Sequence, residues 1–495
     1  MKNIFRKQFL FFALLLITSP LLVKADNLGQ HQNFFVDPNY SDSQKIQVSA
    51  DLVRNSDKAN FYIDANWLSQ KTDKEKESIY STLSILGTEF DSNIYPQLTS
   101  IFGHELTPGI DKDTRITILF YSMKENARGY VRNIDEYDRL VNPFSNQREI
   151  VYLNVDNITN PLMKAFLAHE FMHLINFNQK DLTQGVSEDI WLNEARAEYA
   201  PTLLGYNNDN NFDYLSNRIK SFIDNSSDSL VEWNNASADY GITSIFVHYL
   251  VDQYGLNVLI DSLKSKQVGI NSINEALLKE GVGDNFNDAF TNFIIAVYLN
   301  NCDLSSKYCF KNKNLTDLHV LPFINFLPFS GESNLNLGQY LKNYSAHWQK
   351  FSGGSDNLKI VFKNQSVGQF VVPYIIKNVD GISIVKFLKI DSSSKTGELV
   401  VQNINKDVSS VIVMPSIQIL DAVNQSLNYN YSIAASSFVN TESNSNQGNN
   451  NNQTDTGIKL PFLIDKPLNQ MNREELLMVL LKVIIYLVTQ GKLTF

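Results

Sequence analysis

The chain has 495 residues, 43% hydrophobic and 19% charged, with a formal net charge of −10 and only two cysteines. Its length and apolar content suffice for more than one buried core. The acidic balance excludes the basic footprint of a nucleic-acid-binding protein, and two cysteines exclude a disulfide-dense scaffold.

At the N-terminus, Lys2, Arg6 and Lys7 precede an apolar run from Phe9 to Ile17, and Val23-Lys24-Ala25 offers a small-residue cleavage site. This pattern predicts a secretory signal peptide over 1–25 rather than a membrane span, and hence a secreted or cell-surface protein. No cysteine stands at the cleavage point, so no lipid anchor is expected there. Removing the four basic residues of this segment leaves the mature chain still more acidic.

Residues 26–155 read as a mixed α/β lobe. Asn60–Asp64 and Arg115–Tyr121 are strand-like, and Lys74–Leu86 reads as helix. His104-Glu105 imitates the start of a metal motif, but Pro108 stands where its second histidine would be. Glu149–Val155 alternates as a strand does and directly precedes the most informative segment of the chain.

That segment is His169-Glu170-Phe171-Met172-His173, an H-E-x-x-H pattern in a chain with only 7 histidines. On a helix, positions i and i+4 share a face, so His169 and His173 can hold one metal ion together, with Glu170 as general base on a metal-bound water. Asn160 is a suitable N-cap and Pro161 suits a first helical turn. Apolar residues occupy nearly every side of this predicted helix, which therefore reads as buried. Buried histidines and a glutamate need partners. A metal is one such partner; the blander alternative is a pair of satisfied core histidines. Downstream, Glu188–Tyr199 predicts a second helix, ending before Pro201, with Glu194 and Glu198 again at i and i+4. Two histidines and one glutamate form a catalytic zinc set with a fourth position left for water. Glu194 is the expected third ligand, and Glu198 the carboxylate that orients a ligand histidine. A solvated acidic face is the competing reading for Glu198.

Ala168–Phe177 followed by Trp191-Leu192-Asn193-Glu194 resembles the hyicolysin family of secreted zinc metallopeptidases, which belongs with the wider gluzincins. The likeness extends upstream through Thr114–Tyr121, Gly129-Tyr130-Val131 and Glu149–Asn154, and on to about residue 300. It implies zinc ligands His169, His173 and Glu194, with Glu170 as catalytic acid/base. One departure is visible: Ala195 follows Asn-Glu where glycine is expected. The resemblance also implies a later Tyr or His to meet the tetrahedral oxyanion. Tyr240, at a predicted helix start after Asp239, is preferred to His248, which falls among apolar residues. By the same analogy, Glu149–Val155 is the edge strand expected to pair with an extended substrate.

Residues 156–330 read as a helical catalytic lobe, with further helices over Phe212–Ile223, Gly241–Tyr254 and Phe286–Leu299. Cys302 and Cys309 are expected to form a small surface disulfide. Residues 335–438 carry short β-rich runs at Leu358–Lys363, Gln369–Ile376, Ile382–Leu388, Glu398–Gln402 and Ser409–Met414, which predict an antiparallel β-sandwich. Residues 439–457 are an Asn/Ser-rich flexible linker. Residues 458–495 hold a helix whose apolar run, Leu476–Val488, is too short to span a membrane. A membrane surface or another protein is its expected docking partner. The fold class is thus α+β: a zincin-like metallopeptidase domain, a β-sandwich and a C-terminal helix on a linker. The function expected from these features is an exported zinc endopeptidase acting on protein or peptide substrates. The alternative is a surface-associated binding protein with an inactive peptidase-like domain.

Overall fold

The computed structural model describes residues 26–207, 214–329, 331–420 and 425–438. The expected signal peptide, linker and C-terminal helix lie outside the described residues. No described helix is long and apolar enough to cross a membrane.

The N-terminal part is built on a six-stranded mixed sheet. Its strands are β1 (His31–Phe35), β2 (Gln47–Asn55), β3 (Ala59–Asp64), β4 (Ile116–Tyr121), β5 (Gly129–Val131) and β6 (Ile150–Asn154), in the order β1-β2-β3-β4-β6-β5. β3, β4 and β6 run parallel, and every residue in them is buried. Strands covered on both faces read as continuous apolar runs rather than as alternation. One face, with Phe61, Ile118 and Val151, packs on helices; the other, with Tyr62, Leu119 and Tyr152, packs on Phe34 and Val48 from β1 and β2. Three helices accompany the sheet: α1 (Ala65–Ser69), α2 (Asp73–Glu89) and α3 (Tyr95–Phe102). The structure corrects one expectation here. Glu149–Val155 is not the edge strand, because β5 pairs antiparallel with the free side of β6 and is itself the edge.

The helical part contains α4 (Met163–Asn176), α5 (Ile190–Leu203), α6 (Tyr214–Asp224), α7 (Ser237–Tyr254), α8 (Asn257–Lys264), α9 (Gly269–Lys279) and α10 (Phe286–Leu299). α4 starts later than the Asn160–Pro161 signal implies. Asn160 closes a turn instead: its Oδ1 accepts from Leu162 N and its carbonyl from Met163 N, so the helix starts at Met163 without a side-chain cap. α5 runs through Pro201, which lies in its last turn, so the i→i−4 bond that proline cannot make is lost only close to where the helix ends. Glu188 does not simply face solvent at the start of α5. Its carboxylate is buried between Arg196 (2.9 Å) and Lys180 (3.4 Å). Lys180 also donates to the carbonyls of Ser262 and Ser265, which ties the end of α4 to α8 and the loop after it.

The β-rich part begins at β7 (Phe323–Leu327), before the expected boundary near 335. Its strands continue as β8 (Ser333–Leu341), β9 (Ser345–Ala346), β10 (Gln349–Gly353), β11 (Asn357–Asn364), β12 (Phe370–Val371), β13 (Pro373–Asn378), β14 (Ser383–Phe387), β15 (Thr396–Gln402), β16 (Val408–Val413), β17 (Ser416–Ile417) and β18 (Tyr429–Phe438). A five-stranded sheet, β14-β13-β16-β10-β7, and a four-stranded sheet, β15-β11-β18-β8, share a core that includes Phe351, Val411, Ile360 and Ile433. A short third sheet, β12-β17-β9, splits the expected Gln369–Ile376 run in two. β7 pairs parallel with β10, so the part is not wholly antiparallel. It packs on α10 through Trp348, whose indole donates to the Ile294 carbonyl. Cys302 and Cys309 are bonded, with Cα atoms 5.1 Å apart.

Candidate metal centre

α4 lies against β5 and β6, and α5 lies across α4. The i, i+4 spacing turns His169 and His173 to one side, and Glu194 projects from α5 to meet them. The Nε2 atoms of His169 and His173 are 3.2 Å apart. Glu194 Oε2 is 3.4 Å from the first and 3.7 Å from the second. A tetrahedral zinc with ligands at about 2.0–2.2 Å needs ligand atoms about 3.3–3.6 Å apart. The triangle matches that spacing, and these three residues form a group able to hold one metal ion. Glu194 Oε2 is buried without a hydrogen-bond partner. A buried carboxylate oxygen left so costs about 1–3 kcal/mol or more, and a cation at the centre of the triangle removes that cost.

The electrostatics ask for a positive charge at the same place. Burial disfavours the imidazolium form of both histidines. At His169 the adjacent Glu194 carboxylate and the charges of Glu170 and Glu198 overcome it and lift the ring to about 9. At His173 burial prevails and the ring is lowered. Burial raises Glu194, but the two histidines outweigh it and hold the carboxyl below its usual range. Burial pushes Glu170 up to about 8, with Glu194 and Glu198 adding to the shift and His169 opposing it. A dication in the triangle would act on Glu170 in the opposite sense.

The far nitrogens of the rings are also held. His173 Nδ1 meets Asn193 Oδ1 at 3.0 Å, and Asn176 Nδ2 donates to the same oxygen. His169 Nδ1 meets the Tyr214 hydroxyl at 3.2 Å and Glu198 Oε1 at 3.5 Å. Glu198 is 1% exposed, so the solvated-face reading does not hold. Its nearest partners are the Tyr214 hydroxyl (2.8 Å) and one edge of the Arg218 guanidinium, through Nη2 (2.7 Å) and Nε (2.8 Å). It thus bears on His169 largely through Tyr214.

The centre opens into a cleft of about 640 Å³ lined by His169, Glu170, Tyr214, Arg218, Tyr240, Tyr40, Lys124 and the segment Asn126–Gly129. An adjoining hollow of about 170 Å³ adds His173, Glu194 and the edge strand Gly129–Val131. Gly129 is required here: a Cβ would lie 2.8 Å from Glu170 Cγ. Tyr240, in the first turn of α7, is on the cleft wall. His248 is not; it is buried between Thr202 Oγ1 (2.7 Å) and the Ser244 carbonyl (2.6 Å). Sequence reasoning missed Tyr40, Tyr214, Arg218 and Asn235. Only Tyr214 and Arg218 carried a local signal, an i, i+4 pair on one helix face.

No protein-family model matches the chain. A curated relative, the neutral metalloprotease ShpI of Staphylococcus hyicus, is 28% identical over 240 residues, covering 44% of this chain and 51% of that protein. The chain therefore spans about half the length of the relative it matches, and the similarity supports a metalloprotease relationship for the matched part. Two solved structures are similar over 23% of this chain. One is the pre-peptidase C-terminal domain of a Bacillus anthracis collagenase, at 9% identity, 96% of that chain and a TM-score of 0.16. The other is PliG, a periplasmic inhibitor of g-type lysozyme from Aeromonas hydrophila, at 8% identity, 98% of that chain and a TM-score of 0.17. Likenesses at these TM-scores carry no argument about fold or function.

Proposed function

We propose that the chain is an exported zinc-dependent endopeptidase of the hyicolysin type that hydrolyses peptide bonds in proteins. The observation that carries this reading is the triangle of His169 Nε2, His173 Nε2 and Glu194 Oε2, with sides of 3.2–3.7 Å, open to a cleft that also holds Glu170. A bound zinc ion would supply Lewis-acid polarisation of the scissile carbonyl and acidify the attacking water. Glu170 accepts a proton from that water and returns it to the leaving amine. Tyr240 belongs to the phenolic wall facing the charge that develops on the carbonyl oxygen. The free side of β5 offers backbone groups to an extended peptide, which favours cleavage within a chain. The Lys2–Ala25 pattern supports export. The intact donor set speaks against an inactive binding protein.

The test is zinc content and casein cleavage of the mature protein beside Glu170→Gln. About one equivalent of zinc in both, with cleavage lost in the variant, is the expected result. Equal inertness of both zinc-loaded forms across varied substrates would overturn the peptidase reading.

A further inference from the structure

Two tyrosines from distant parts of the chain line the reacting region. Tyr240 comes from α7. Tyr40 comes from the loop after β1, far upstream of the metal helix. Both line the hollow that contains His169, Glu170 and Glu194. They are joined through Asn235. The Tyr240 hydroxyl donates to Asn235 Oδ1 at 2.9 Å, and the Asn235 side chain also hydrogen-bonds Tyr40.

Counting protons separates the two phenols. A tyrosine has one O–H proton. That of Tyr240 goes to Asn235 Oδ1, which leaves the Asn235 NH₂ as donor to the Tyr40 oxygen. The Tyr40 proton has no acceptor among the described residues and is available to the cleft. Burial, followed by the charges of Glu170 and Glu194, raises the Tyr40 pKa, so the phenol stays protonated near neutral pH. Its position is also fixed. The ring stacks on Tyr130 of the edge strand at 4.3 Å and 17°. The Tyr40 carbonyl accepts from Lys124 N, and the Tyr130 hydroxyl is in turn held by Asp37 N. On the other side, Asp239 Oδ2 accepts from the backbone N–H groups of Asn234 and Ala236. That pins the turn in which Asn235 adopts a φ of 59°, so the amide is presented by a conformation that few side chains favour.

We propose that Tyr40 is a catalytic residue that donates its phenolic hydrogen to the oxyanion of the tetrahedral intermediate, with Asn235 and Tyr240 positioning it. The inference rests on the peptidase reading above. Hydrolysis is unchanged in its atom balance: water adds to the carbonyl, the C–N bond breaks, and the Tyr40 proton is shared with the oxyanion without being transferred.

The test compares Tyr40→Phe, Tyr240→Phe and Asn235→Gly in the zinc-loaded protein, using an internally quenched peptide and a phosphonamidate peptide as transition-state mimic. Tyr40→Phe is expected to lower kcat about 100-fold, as loss of one oxyanion donor does, with KM changed less than about threefold. Affinity for the phosphonamidate should fall by the same factor. Tyr240→Phe should lower kcat less, about threefold to tenfold, because it acts through Asn235. Asn235→Gly suits the positive φ, removes only the amide and should also lower kcat with little change in KM; it decides the matter if Tyr40→Phe fails to fold. A Tyr40→Phe kcat within twofold of wild type, a rise in KM alone, or a larger loss in Tyr240→Phe would overturn the proposal while leaving the peptidase reading intact. An inert wild type with zinc bound would overturn both.

Discussion

At the scale of single residues, the grouping of His169, His173 and Glu194 was legible in the sequence, and most of the side chains around it were not. His169, Glu170 and His173 are local in the chain, and helical spacing alone sets their relation. Glu194 and Glu198 share a second helix and could be assigned by the same rule. Tyr214, Arg218, Tyr40 and Asn235 reach the cleft only through tertiary packing, and no spacing in the sequence announces them. Glu198 illustrates the difference. It was expected to touch a ligand histidine; the structure gives it Tyr214 and Arg218 as closer partners. Its role is testable by Glu198→Gln. That change leaves the Arg218 guanidinium with a neutral partner and loosens Tyr214 against His169. Zinc affinity, measured by competition with a chelator, should fall about 10–100-fold, and stability by about 3–5 kcal/mol. An unchanged affinity would show that the carboxylate serves only the fold.

At the scale of elements, apolar periodicity located most helices and strands, and errors fell where a distant partner decides. β6 reads as an edge only by analogy, and nothing in its own residues reveals that three earlier residues, Gly129–Val131, cover its free side. Gln369–Ile376 divides because its halves pair with different strands, β17 and β16. The contact between α6 and α7 was equally invisible, yet it sets the cleft wall. Gly241 allows it: a Cβ there would lie 2.6 Å from Phe222 N and 2.9 Å from Ser221 C, both backbone atoms that cannot rotate away. Gly241→Ala must therefore drive the helices apart, at about 1–3 kcal/mol. Tyr240, the preceding residue, now packs 4.7 Å from the Arg218 guanidinium and would shift with α7. The expected result is a lower Tm together with a lower kcat at temperatures where the protein is still folded. Gly338→Ala, which meets nothing within 4 Å, is the control and should leave both unchanged.

At the scale of the whole molecule, the sequence indicated an acidic chain, and the structure shows where acidity is least comfortable. Glu105, Glu136 and Glu149 are 1%, 3% and 2% exposed, and each has at least one buried oxygen without a hydrogen-bond partner. They come from the segment after α3, the segment after β5 and the residue before β6, all of them connections of the central sheet. Burial is the main cause that lifts all three carboxyls. Glu149 rises to about 8, further raised by Asp111 and Glu105 and opposed by its own backbone N–H and by Arg148; Glu136 rises well above its ordinary value, raised further by Glu149 and Asp135. The sign follows from linkage. A carboxyl whose folded pKa exceeds its unfolded value of 4.5 keeps its proton in the folded state over the window between them. Its contribution to stability is full below about 4.5 and is lost as pH rises toward about 8. The net negative charge of the chain adds a repulsion that grows in the same direction. Glu149→Gln separates the two effects, since it keeps the shape and removes one titration. Thermal unfolding of the mature protein should show Tm falling between pH 5 and pH 8. The variant should match wild type near pH 5 and exceed it by a few degrees near pH 8. Parallel Tm curves for the two proteins would mean that general repulsion, rather than this buried carboxyl, governs the loss.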